Sequence, residues 1–120
     1  MRRDDALLLD MLLACRKLLR FTQDLTEDQF ESDELVQSAV MRELQVLGDA
    51  SRLVTDATKT QYPAIPWRAI AGMRNRIVHA YFDVRLEVLW DTIQHEVPVL
   101  SHDLAQIVPL PETPDTTPGR

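Results

Sequence analysis

One stripe of apolar side chains constrains the fold more than any other feature of this chain. Val36, Val40, Leu44, Leu47, Ala50, Val54 and Ala57 recur every three or four residues, the spacing that lines one face of an α-helix. Arg42, Glu43, Asp49 and Arg52 fall on its polar side, and Ser32 or Asp33, both good N-cap residue types, can open it. Gly48 sits in the middle, where a glycine costs about 1 kcal/mol relative to alanine. A close approach by another helix is the simplest reason to keep it.

The rest of the chain carries the same period. A first helix is predicted over residues 5–21, with Leu8, Leu12, Cys15 and Leu19 in register and Leu9, Leu13 and Leu18 widening the apolar face toward a second neighbour. Thr26 followed by Gln29 has the form of a capping box, so a short turn begins there. Tyr62-Pro63-Ala64-Ile65-Pro66 breaks the chain, and Pro66 suits the first position of a third helix over residues 67–80, with Ile70, Met73, Ile77 and Ala80 on its buried edge. Asp83 is placed to cap a fourth helix carrying Leu86, Leu89, Ile93, Val97, Leu100, Leu104 and Ile107, which Pro98 kinks or divides. Trp67 and Trp90 read as core anchors. With only three glycines and little alternation, strand signals are weak. The expectation is an all-α, antiparallel bundle of four to five helices filling residues 1–108, one domain by length. Residues 109–120 hold four prolines, two acids and no aromatic residue, a composition that predicts a disordered tail.

Composition also excludes function classes. A single cysteine, Cys15, forms no internal disulfide; it fits a reducing compartment and reads as inert packing among leucines. Arg2 and Arg3 precede an apolar stretch, and Leu12-Leu13-Ala14-Cys15 faintly matches a lipoprotein cleavage site, but Asp4, Asp5 and Asp10 interrupt it, unlike an export signal. No run approaches the roughly 18 apolar residues of a membrane span. The reading is a cytoplasmic protein with no membrane partner. The net charge of −6 opposes nucleic-acid binding in bulk, yet the charge is unevenly spread. Residues 66–85 carry Arg68, Arg74, Arg76 and Arg85 against Asp83 alone, whereas residues 24–34 carry six acids and no base. The acidic stretch is a solvated face or a docking surface for a basic partner.

Within the basic stretch, Arg74, His79 and Tyr81 fall inside eight positions. Histidine moves protons near neutral pH; arginine is permanently cationic and shaped to grip phosphate. Together they point to chemistry on a phosphodiester without a metal. At 100° per residue Arg74 and Tyr81 nearly share a helix face, as do Asn75 and His79, but Arg74 and His79 stand about 140° apart. Either the helix loosens near His79, or the site joins two copies of the segment, as in a symmetric dimer. Taken alone, arginine and histidine on a helix are more often surface residues than catalysts. His95 and His102 share a face, but no cysteine or third histidine completes a metal site with them, so they read as polar-face residues.

The string Arg-Asn-Arg-Ile-Val-His-Ala-Tyr at residues 74–81 resembles the Arg-x4-His-x-Tyr signature of HEPN proteins, and most resembles HepT-like toxins of prokaryotic toxin–antitoxin pairs. Ile65-Pro66-Trp67, Gly72-Met73-Arg74-Asn75, Val78 through Phe82, and Leu47-Gly48-Asp49-Ala50 are similar to that family as well, with Asp49 where glutamate is commoner. The resemblance implies a homodimeric bundle whose two motifs line one cleft, and a metal-independent endoribonuclease needing no cofactor. It also implies a minimal nucleotidyltransferase antitoxin as partner, in a type VII-like system. His79 would take the proton of the RNA 2′-OH, Arg74 would neutralise phosphoryl charge, and Asn75 would orient His79 or donate to phosphate. Arg76, Arg42 and Asp49 are supporting candidates. Tyr81 would support the site and be the position that the antitoxin AMPylates. A catalytically weak HEPN dimer that serves as a partner of the nucleotidyltransferase is the alternative, and a plain helical adaptor a further one.

Overall fold

A computed structural model of the chain describes residues 3–80 and 83–109. The segment expected as a disordered tail, from residue 110 on, and Tyr81 therefore lie outside the described residues.

The longest helices are α1 (Arg3–Thr22) and α3 (Glu34–Leu53), and they make the largest contact between any two elements. Leu8, Met11, Leu12, Cys15 and Leu18 of α1 are buried, as are Val40, Leu44, Leu47 and Ala50 of α3. Full burial of each such leucine stabilises by about 1.5–3 kcal/mol, so this seam is the core of the bundle. Leu13, expected to widen the buried face of α1, is instead 43% exposed. Glu43, expected on the polar face of α3, is buried and accepts from Arg42 Nη1 at 3.0 Å. Between the two helices lies α2 (Glu27–Glu31), opened by the expected capping box. Gln29 N–H donates to Thr26 Oγ1 at 3.1 Å and Thr26 N–H to Gln29 Oε1 at 2.9 Å. Gln37 of α3 donates its amide to the Phe30 and Glu31 carbonyls, satisfying the end of α2.

The α3 helix is capped by Asp33, which accepts from Val36 N–H at 3.1 Å. It stops at Leu53, before the stripe does. Val54 is buried but extended, Ala57 is exposed, and a separate helix α4 (Asp56–Gln61) starts from Thr55. The physical reason is a buried carboxylate. Asp4, on the first turn of α1, accepts from the Thr55 N–H at 3.3 Å, from the Thr55 hydroxyl, and from Thr58 Oγ1 at 2.6 Å. Threonine side chains and a free amide outcompete continuation of the helix. Gly48 is not crowded: a Cβ there would sit 3.9 Å from the Ile70 carbonyl and 3.7 Å from Arg52 Nη1, ordinary contact distances. A close helix approach is present, but it does not demand glycine.

The helix expected over residues 67–80 is three pieces. Pro66 takes the cap position, one residue earlier than expected, and α5 (Trp67–Ala71) and α6 (Met73–Ile77) meet at Gly72. Then the chain extends. Strand β1 (Val78–Ala80) pairs antiparallel with β2 (Asp83–Val84), Val78 opposite Val84 and Ala80 opposite Asp83. Asp83 is thus a strand residue rather than a cap; α7 (Leu86–His95) starts from Arg85 without a side-chain cap. Pro98 divides the last helix as expected. Glu96 ends α7 and opens α8 (Val97–Ile107), and Pro98 falls in the first turn of α8, where its missing N–H costs nothing. The α8 helix lies on α1, and α5 and α6 lie on α3. The two tryptophans are half-buried. Trp90 meets the Phe30 ring at 5.4 Å, and the Trp67 indole donates to the Tyr62 carbonyl at 3.0 Å.

The architecture is the expected all-α helical bundle, with one short two-stranded ladder among the described residues. No described helix is long and apolar enough to cross a membrane.

Burial raises the Cys15 thiol from 9.0 to about 12. A raised folded-state value stabilises the fold fully below the unfolded value, and that contribution is lost as pH climbs toward the folded one. Between pH 9 and pH 11 the stability of the parent should therefore fall faster than that of Cys15→Ala, by up to about 1.4 kcal/mol per pH unit. Denaturant melts across that range measure the difference. At pH 8 a thiol reagent should label Cys15 only as fast as the protein opens.

Candidate functional site

The site is built where α6 ends. Met73 and Ile77 are buried against α3, so the three residues between them, Arg74, Asn75 and Arg76, all face outward. The Ile77 carbonyl then accepts from the Arg85 N–H at 2.7 Å. That bond flanks the ladder just outside its two strands, and it takes the place of a further helical turn. Val78 at the helix end is already extended, with φ −99° and ψ 106°. His79 therefore stands on a strand, not on a helix, and the 140° separation expected from helical geometry does not apply. Loosening of the helix before His79, one of the two expected ways out, is present. The side chain of His79 lies outside the described residues.

The arginines of this stretch divide by partner. Arg76 is held in a two-pronged ion pair with Glu96, Nη2 to Oε1 at 2.9 Å and Nη1 to Oε2 at 3.1 Å. The Glu96 hydrogen bonds push the Arg76 value above that of an ordinary arginine, burial opposes the shift, and the Glu96 charge adds to it. Arg76, expected as a supporting residue, thus ties α6 to the α7–α8 joint. Arg74 is exposed and has no carboxylate partner among the described residues, and Asn75 beside it is exposed as well. A cation left unpaired in a strongly acidic protein is available to an external anion.

Of the two supporting candidates on α3, Arg42 is spent on the neighbouring Glu43. Asp49 accepts from Gln45 Nε2 at 2.9 Å and from Arg52 Nη1 at 3.1 Å. Gln45, Gly48, Arg52, Ile70, Ala71 and Arg74 line one narrow cleft between α3 and the α5–α6 joint. Asp49 is therefore bonded to the wall of the cleft that Arg74 borders. Gln45 and Arg52 were not singled out by sequence reasoning, although Asp49 and Arg52 stand three apart with opposite charge, the spacing of a helical ion pair. A wider groove runs between α2 and α3, lined by Glu31, Asp33 and Glu34. Its charge is wrong for a polyanion. His95 faces Asp91 at 3.5 Å with both side chains largely exposed, and His102 is exposed.

A family model described as "Ribonuclease HepT-like" matches residues 11–107. The chain is 38% identical over 91 residues to a "Probable ribonuclease HepT" of Thermococcus cleftensis, covering 76% of this chain and 83% of that protein. It is 33% identical over 103 residues to "Putative RNase MJ0127" of Methanocaldococcus jannaschii, covering 86% of this chain and 85% of that one. No solved structure matches the chain.

The exposed side chains predict a stability contrast. Arg74→Ala should shift unfolding free energy by no more than about 0.5 kcal/mol, as for a surface residue without partners. Glu96→Ala, which opens a half-exposed pair, should cost roughly 0.2–1 kcal/mol. Urea melts of both variants check this, and an Arg74 variant that costs more than the Glu96 variant contradicts the assignment of a free cation.

Proposed function

We propose, from the premise that the chain belongs to the HepT-like ribonuclease family, that it is a metal-independent endoribonuclease and the toxin of a type VII-like toxin–antitoxin pair. The observation that carries this reading is Arg74, exposed and without a carboxylate partner among the described residues, in the last turn of α6, four residues before Val78, where the chain turns extended toward His79.

RNA supplies its own nucleophile. His79 takes the proton of a 2′-OH, the freed oxygen attacks the adjacent phosphorus, and the 5′-oxygen of the next nucleotide leaves with a proton. The products end in a 2′,3′-cyclic phosphate and a 5′-OH. Arg74 neutralises the charge that builds on the phosphoryl oxygens, and Asn75 orients His79 or donates to the phosphate. Two copies of the bundle, residues 1–108, join so that both motifs face one cleft and the cationic charge is doubled. The cognate partner is a minimal nucleotidyltransferase. It presents the α-phosphate of ATP to the Tyr81 phenol; the phenol gives up its proton to water as the O–P bond forms, pyrophosphate leaves, and the AMP left on Tyr81 opposes RNA phosphate beside Arg74.

Purified protein incubated with RNA in EDTA should cleave it, and Arg74→Ala or His79→Ala should lower the rate by about 10²–10⁴-fold with the fold intact. Cleavage abolished by EDTA, or a His79→Ala variant as fast as the parent, sinks the mechanism. Light scattering that finds only monomer at micromolar concentration removes the shared cleft.

Control by the partner has its own readout. After co-expression with the nucleotidyltransferase, intact mass should rise by one or more AMP units, and Tyr81→Phe should remove the rise. A silenced but unmodified toxin points instead to a dimer inhibited by complex formation.

A further inference from the structure

The joint from which Arg74 projects is fastened by a side chain of another helix. Where α5 ends, Gly72 N–H reaches back to the Arg68 carbonyl at 3.0 Å, and α6 begins with Arg76 N–H on the Gly72 carbonyl at 3.2 Å. The last carbonyls of a helix have no partner within it. The Ala71 carbonyl finds one nineteen residues away: Arg52 Nη2 donates to it at 2.7 Å. The same guanidinium donates through Nη1 to Asp49, and Asp49 is held in turn by Gln45. The guanidinium lies beside Gly48 of α3, where an added Cβ would meet Nη1 at 3.7 Å and Nη2 at 4.0 Å, ordinary contact distances.

Two arginines thus border one cleft with different fates. Arg52 is neutralised by Asp49 and committed to a backbone carbonyl, so it is a poor phosphate clamp. Arg74, the third residue beyond Ala71, has no such commitment among the described residues. We propose that Arg52, braced by Asp49, is a positioning residue that fixes the α5–α6 joint and thereby the direction in which Arg74 meets the phosphate. This rests on the reading of Arg74 as the group that binds phosphate. A guanidinium suits the task because its rigid fork bonds the carboxylate and the carbonyl at once, which a lysine ammonium does less well. Misplacing a catalytic group by about 1 Å can cost on the order of 10²-fold in rate.

The test is a double-mutant cycle of Arg52→Ala and Arg74→Ala, read as single-turnover RNA cleavage, with Arg52→Lys as the conservative variant. Arg52→Ala should slow cleavage about 10-fold or more with little change in KM, Arg52→Lys should recover part of the loss, and in the Arg74→Ala background the Arg52 change should cost less than about 2-fold, the non-additivity of coupled residues. Amide hydrogen exchange over residues 72–76 should rise in Arg52→Ala. An equal loss in both backgrounds shows that Arg52 acts by stability alone and overturns the inference, as does unchanged exchange at the joint. Cleavage that needs Arg74 but ignores Arg52 overturns it while leaving the proposed site standing. A parent that does not cleave RNA, or an Arg74→Ala variant as fast as the parent, overturns the site reading and this inference with it.

Discussion

The seam between α1 and α3 is what α2, α5, α6, α7 and α8 all lean on. The seam buries a continuous row of leucine, valine, methionine and cysteine side chains, and interiors packed to that density leave little freedom for what leans on them. The Asp4 carboxylate pins one end of it by gathering Thr55 and Thr58. A buried carboxylate is costly unless its oxygens are satisfied; here several donors converge on it, and α3 ends where they do. The α2 helix is fastened to α3 through Gln37, α8 lies on α1, and α5 and α6 lie on α3. A local polar cluster and an extended apolar contact therefore set the frame from which residues 66–85 are displayed.

The displayed segment is short of regular structure for a physical reason. Its helix is interrupted at Gly72 and ended at Ile77, and at each place a main-chain carbonyl finds a donor from elsewhere in the chain: Arg52 for Ala71, the Arg85 amide for Ile77. Because buried and half-buried carbonyls must be satisfied, these two bonds make the breaks stable. They also turn one predicted helix into a cationic turn followed by an extended strand, which changes the relation of Arg74 to His79 from a fixed rotation to a bend.

Charge follows a similar division. The protein carries a net −6, yet the arginines near the joint are not equivalent. Arg76 is closed off by Glu96 and Arg52 by Asp49, and each joins two elements. Arg74 remains open. In a chain that repels polyanions overall, a site for phosphate depends on a few such local exceptions rather than on the mean field, and the acidic groove between α2 and α3 is unsuited to it.

What the sequence determined by itself was the part governed by short-range period and chain chemistry. The all-α class, the α1 and α3 stripes, the capping box at Thr26, the Asp33 cap, the division at Pro98 and the family signature around Arg74 all depend on residues within a turn or two of one another. What only the tertiary structure decided involves partners distant in the chain. Asp4 ends α3 across 51 residues, the Arg85 amide ends α6 and moves Asp83 from a cap to a strand, Glu96 claims Arg76 across twenty, and Arg52 reaches Ala71 across nineteen. Periodicity cannot register these bonds, because a hydrogen bond to a carbonyl or a carboxylate is chosen by which donor the fold brings near, and that choice exists only once the helices have packed.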